Sequence, residues 1–173
     1  MITANAVLAR WNMLDEDTAA AEILPCCGSQ RWAQDLARAR PFADDAELCD
    51  RSDRIWLGLA PADWDEAFRT HPRIGERNAV EAATQRSAAW SRDEQSGVGR
   101  SDTSVLAALE CSNRLYEERF GRVFLVCATG KSAAEMVMIL ERRLQNDSQT
   151  ELQEAVEQQR QITQLRLRKW LDT

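Results

Sequence analysis

One histidine, His71, occurs in the 173 residues, directly before Pro72 and after a short amphipathic run from Asp63 to Thr70. Imidazole is the side chain best suited to moving protons near neutral pH. Its setting, His71-Pro72-Arg73-Ile74-Gly75-Glu76, is punctuated and irregular, and loops of that kind present functional groups from a rigid scaffold. The competing reading is structural: a helix-end histidine satisfied by a nearby carbonyl and the helix terminus. A histidine-rich zinc site needs more ligands than one imidazole and unclustered cysteines supply, and a carboxylate-only magnesium site has no motif.

A second group of chemistry-bearing residues is Ser91-Arg92-Asp93-Glu94-Gln95. In a helix Ser91 and Glu94 share a face, and Gln95 extends it. One reading makes them helix-end residues, with Ser91 capping and Glu94 reciprocating in a capping box. The other has Glu94 orient or tune His71 while Gln95 offers an amide to a substrate carbonyl or urea. The third group lies in the last helix, where Leu152, Ala155, Val156, Ile162 and Trp170 define an inward sector and Arg166 projects into its middle. Arg168 and Lys169 point elsewhere. A cation on an apolar sector is costly unless paired or offered to an anion. Snorkelling outward is the structural alternative; bidentate recognition of a carboxylate is the functional one.

The elements that must position these groups read as helices. Residues 5–13 carry Val7, Leu8 and Trp11 on one side; Asp15 or Asp17 opens a second helix, Ser29 a third, and Asp44 or Asp45 a fourth. Pro72 disfavours the α conformation at His71, so the helix before it ends there. Helix resumes near Ala79 and runs towards Gln95, with Gly97 and Gly99 beyond it. Ser101 or Asp102 starts the next, which carries Val105, Leu109, Ser112 or Asn113, Tyr116 and Phe120 at spacings of three or four and stops at Gly121. Val123 to Cys127 is apolar and strand-like but has no partner strand, so it reads as a buried extended connection or an apolar helix start. Helices over 131–145 and 149–170 complete an expected all-α fold, a compact single-domain bundle of about eight helices spanning residues 1–173, with no substantial sheet.

The bulk properties agree. Hydrophobic residues make up 44% and charged residues 29%, with seven Gly and four Pro, as in a folded helical domain. A net charge of −6 provides no field for nucleic acid or an anionic membrane, yet leaves room for an anionic small molecule held by a few arginines. The six tryptophans are spread through helices and fit core packing better than base stacking. Gly28 and the Gly97/Gly99 pair lack the strand-to-helix setting of a phosphate loop. Five cysteines without finger-like spacing, and a start lacking a basic region and apolar run, give the expectation of a cytoplasmic protein with no membrane span.

The blocks Phe68-Arg69-Thr70-His71-Pro72-Arg73-Ile74-Gly75, Ser91-Arg92-Asp93-Glu94-Gln95, Tyr116 to Phe124, and Ile162-Thr163-Gln164-Leu165-Arg166-Leu167 together resemble the OHCU decarboxylase family in order and spacing. The resemblance covers nearly the whole chain. It implies a helical homodimer needing no metal or organic cofactor. It further implies decarboxylation of 2-oxo-4-hydroxy-4-carboxy-5-ureidoimidazoline to (S)-allantoin and CO₂. By the same resemblance His71 is the essential histidine and Glu94 its partnering acid. Pro72, Ser91, Gln95, Phe120, Val123, Phe124 and Arg166 line the substrate site. Two non-catalytic alternatives are a helical module that docks a protein partner and a regulator that binds a ureide-type anion without turning it over.

Overall fold

The computed structural model describes residues 5–74, 85–96 and 102–173. Its described residues form α helices and one short 3-10 turn, with no strand. Gly75, Glu76, the predicted helix start near Ala79, the Gly97/Gly99 pair and Ser101 lie outside them.

Polar caps set the helix starts. The Asn5 side chain accepts from Val7 N and Leu8 N to begin α1 (Ala6–Asn12), and Asp15 accepts from Thr18 N to begin α2 (Glu16–Ile23). Ser29 caps α3 (Gln30–Arg38), and Asp44 caps α4 (Asp45–Leu57). α5 (Pro61–Arg69) has its proline in the first turn, where the missing N–H costs no helical hydrogen bond. α6 (Gln85–Glu94) and α7 (Thr103–Phe120) follow. Ser132 and Glu135 form a reciprocal capping box on α8 (Ala133–Arg143), and α9 (Ser148–Leu171) closes the chain.

Contacts divide the chain into two units, residues 1–67 with 160–173, and residues 68–159. In the first, Trp11, Trp32, Trp56 and Trp170 are all at most 1% exposed, so these rings are core. Each removes roughly 150–250 Å² from water, which makes them the largest apolar contributors to that unit. Three of the indole N–H groups have these acceptors: Trp11 donates to the Ala19 carbonyl at 3.0 Å, Trp32 to Ser52 Oγ at 3.2 Å, and Trp170 to Glu22 Oε1 at 3.0 Å. Trp11 and Trp170 meet edge to face at 5.5 Å.

The second unit packs α7 and α8 around Leu109, Tyr116, Phe124, Val126, Met136 and Leu140. Beneath that cluster lies an ionic group that sequence pattern did not show. Arg143 and Glu151 are both fully buried, with Arg143 Nη2 donating to Glu151 Oε1 at 2.5 Å and Nε to the same oxygen at 2.9 Å. Tyr116 donates its hydroxyl to Glu151, and burial pushes that phenol well above its ordinary range. The inward sector of α9 is accordingly corrected by one residue at its start. Leu152 stays partly exposed and Glu151 is interior, because two helices supply it with hydrogen-bond donors.

Gly121 ends α7 in the left-handed region, at φ 68°, its N–H bonded to the Glu117 carbonyl at 2.8 Å. A Cβ built there meets nothing within 4 Å. Gly121→Ala should therefore cost about 1 kcal/mol, from backbone conformation alone. Urea unfolding would check it, since a loss several times larger requires a steric clash.

Candidate active site

α5 ends as expected: His71 N donates to the Phe68 carbonyl at 3.2 Å and helical structure stops before Pro72. His71 is 7% exposed, its Nε2 out of contact with solvent, and Pro72 is buried beside it. The loop is pinned to α7 from both sides. Arg73 grips Glu117 with a fork, Nε to Oε1 at 2.5 Å and Nη2 to Oε2 at 2.7 Å. Asn113 Nδ2 donates to the Ile74 carbonyl at 3.1 Å. An irregular segment thereby gains the rigidity that a positioned imidazole requires. The sequence pattern places Ser112 or Asn113 on the inward face of this helix, and the structure buries both.

Ser91 and Glu94 occupy the last turns of α6, 4% and 8% exposed. A capping box belongs to a helix N-terminus, so that reading of the pair is excluded by position. They instead form one buried polar face. Gln95 follows at the helix end, partly exposed, with its N–H on the Ser91 carbonyl at 3.1 Å.

Of the two readings left open for the segment after Gly121, the structure shows the extended, buried connection and not a helix start. Phe124, Leu125, Val126, Cys127 and Ala128 are each at most 8% exposed, whereas Phe120 and Val123 are partly exposed. Side chains satisfy its backbone where no neighbouring strand can. Arg143 Nη1 donates to the Leu125 carbonyl at 2.5 Å, and Cys127 N–H donates to Gln158 Oε1 at 2.8 Å. Lys131 Nζ donates to the Cys127 carbonyl at 2.7 Å. Burial raises the Cys127 thiol above its ordinary value; the Lys131 charge opposes this and the Glu94 charge adds to it. Glu94 thus lies within electrostatic reach of this segment.

Of the expected site residues, the second unit holds His71, Pro72, Ser91, Glu94, Gln95, Phe120, Val123 and Phe124. Arg166 belongs to the other unit. It is 0% exposed, so the snorkelling alternative does not hold, and its Nη1 reaches the Pro25 carbonyl at 3.5 Å. Its charge acts on the neighbouring Cys27, but burial dominates and pushes that thiol up to about 12, which keeps it protonated and unreactive at neutral pH. No disulfide joins any of the five cysteines. Among the described residues no three His, Cys, Asp or Glu side chains come together as a metal site would require, and no helix is long and apolar enough to cross a membrane. The buried polar set of the second unit therefore offers an imidazole, a carboxylate and a hydroxyl, the requirements for acid–base chemistry on a small polar molecule.

Comparison with known proteins bears on which molecule. The family model described as OHCU decarboxylase matches residues 12–168, running through both units. The uric acid degradation bifunctional protein TTL of Arabidopsis thaliana is 31% identical over 145 residues, covering 83% of this chain and 44% of that protein. The 2-oxo-4-hydroxy-4-carboxy-5-ureidoimidazoline decarboxylase of Amia calva is 33% identical over 130 residues, covering 74% of this chain and 73% of the relative. An OHCU decarboxylase crystallised in the presence of (S)-allantoin superposes with a TM-score of 0.76 at 32% identity, covering 88% of this chain and 98% of that one.

Proposed function

Because the chain belongs to the OHCU decarboxylase family, we propose that it converts 2-oxo-4-hydroxy-4-carboxy-5-ureidoimidazoline to (S)-allantoin and CO₂, without metal or organic cofactor, as a cytoplasmic homodimer. The observation that carries this reading is the burial of His71, Ser91 and Glu94 in a chain that a structure of the family matches along most of its length.

The chemistry follows from the substrate. Its carboxylate sits on the ring carbon that also bears the hydroxyl. Breaking that carbon–carbon bond releases CO₂, and its electron pair forms a C=C bond to the ureido-bearing carbon while the C=N pair moves onto the ring nitrogen, which takes up a proton, leaving an enol. Collapse of the enol to a carbonyl with protonation of the ureido-bearing carbon gives allantoin, and the face of protonation sets its handedness. In this reading His71 and Glu94 together handle the proton, with Glu94 holding the imidazole in one orientation. Ser91 and Gln95 offer hydrogen bonds to the ring and urea, Pro72 shapes the histidine loop, and the backbone around Phe120, Val123 and Phe124 closes one wall. Arg166 binds and orients the substrate. Fixed dipoles stabilise charge as it moves into the ring without having to reorganise.

The test is chiral analysis of the product from freshly generated substrate, because spontaneous decay consumes substrate without selecting a hand. Enzyme-dependent (S)-allantoin is expected; racemic product at the uncatalysed rate would overturn the proposal. The burial of Glu94 beside Ser91 motivates a second measurement. Glu94→Gln should lower turnover by roughly 10- to 100-fold and displace the pH–rate profile, since the neutral amide removes a charge from the acid–base group. An unchanged profile would make Glu94 structural.

A further inference from the structure

We infer that Arg122 is a second substrate-binding arginine, one that reads the carboxylate lost in the reaction; the inference rests on the function proposed above. Arg122 follows Gly121 directly, on the segment that leads into the buried connection. Its guanidinium lies over the ring of Phe68, 5.8 Å from the centroid, and the Phe68 carbonyl accepts the backbone N–H of His71. Arg122 is therefore packed on the residue that ends the turn before His71.

Its hydrogen-bonding state sets it apart from other arginines in the unit. Arg73 is forked on Glu117, Arg143 is held by Glu151 and the Leu125 carbonyl, and Arg119 donates to the Asn146 carbonyl. Nε and Nη1 of Arg122 are buried and have no acceptor among the described residues. A ring face attracts a cation but does not replace the water that these N–H groups have lost. The residue as a whole remains partly exposed, so a molecule arriving from solvent can approach it. The acceptor best matched to a desolvated guanidinium is a carboxylate, through charge-assisted hydrogen bonds. The proposed substrate carries one; the product, allantoin, carries none. Arg122 thus holds substrate and loses its partner when CO₂ leaves, which favours product release. A grip on the departing carboxylate stabilises the ground state, so the residue acts on KM and not on the chemical step.

Arg122→Met and Arg122→Gln test this. Both should raise KM roughly 10- to 100-fold, the weight of a charge-assisted hydrogen bond, with kcat unchanged or higher. Thermal midpoints should be unchanged or raised, because two buried N–H groups without an acceptor among the described residues are removed. Calorimetry gives an arm independent of turnover. The parent should bind 2-oxoimidazolidine-4-carboxylate, and the variants should lose that affinity while binding (S)-allantoin within about twofold of the parent. Unchanged KM, a fall confined to kcat, equal weakening for both probes, or a parent with no affinity for the carboxylate would each overturn the inference. Failure of the proposed function is separately visible, as absence of stereoselective product with the parent protein.

Discussion

Replacing His71 with Asn should remove most enzyme-dependent (S)-allantoin formation, a loss of about 10²- to 10⁴-fold in turnover, with little change in helical content. Asn approximates the near half of the imidazole in size and keeps an amide for hydrogen bonding, but it cannot exchange a proton near neutral pH. The loop is fastened at Arg73 and Ile74, by Glu117 and Asn113, so its shape does not depend on the histidine ring. Circular dichroism separates the outcomes. A folded variant with near-parental yield and handedness would return His71 to the structural role that a lone helix-end histidine can fill.

The largest effect on stability is expected at Glu151. Its carboxylate compensates Arg143 at zero exposure for both partners, and the Tyr116 hydroxyl and Asn146 Nδ2 also donate to it. Glu151→Gln keeps the volume but leaves the guanidinium without its buried counter-charge, at a cost of about 3–5 kcal/mol. Glu154, 3.9 Å from Arg143 Nε, offsets part of that and places the expectation near the lower end. Replacing both partners, as Arg143→Met with Glu151→Leu, should recover much of the loss, because no charge then remains buried. Denaturant unfolding of the single and double variants checks both statements, and a single-variant cost under about 1 kcal/mol would show the pair to be hydrated. Arg143 also holds the Leu125 carbonyl, so the double variant, which removes that donor, should loosen the segment that Glu94 lies near.

The sequence by itself determined the helical class, the cap at Ser29, the stop at Gly121 and the break at His71-Pro72, and it narrowed two further caps to Asp15 or Asp17 and Asp44 or Asp45, of which the structure uses Asp15 and Asp44, because each depends on a few neighbouring residues. It also marked His71 as the single histidine ahead of a proline, and Ser91, Glu94 and Arg166 by their helical faces, with a structural alternative open for each until the family resemblance favoured the functional one. Periodicity could not say what those groups meet. The choice between a capping serine and a buried polar pair was made by where α6 ends, and the choice between an extended connection and a helix start at Val123–Cys127 by the side chains of Arg143, Gln158 and Lys131. Likewise, the pairing of Arg143 with Glu151 on the next helix, and Arg122 over Phe68 with its Nε and Nη1 unmatched among the described residues, follow from packing between separate segments and not from spacing along one helix. Whether a charge is paired, buried or left open for a ligand depends on three-dimensional neighbours, and only tertiary structure supplies those.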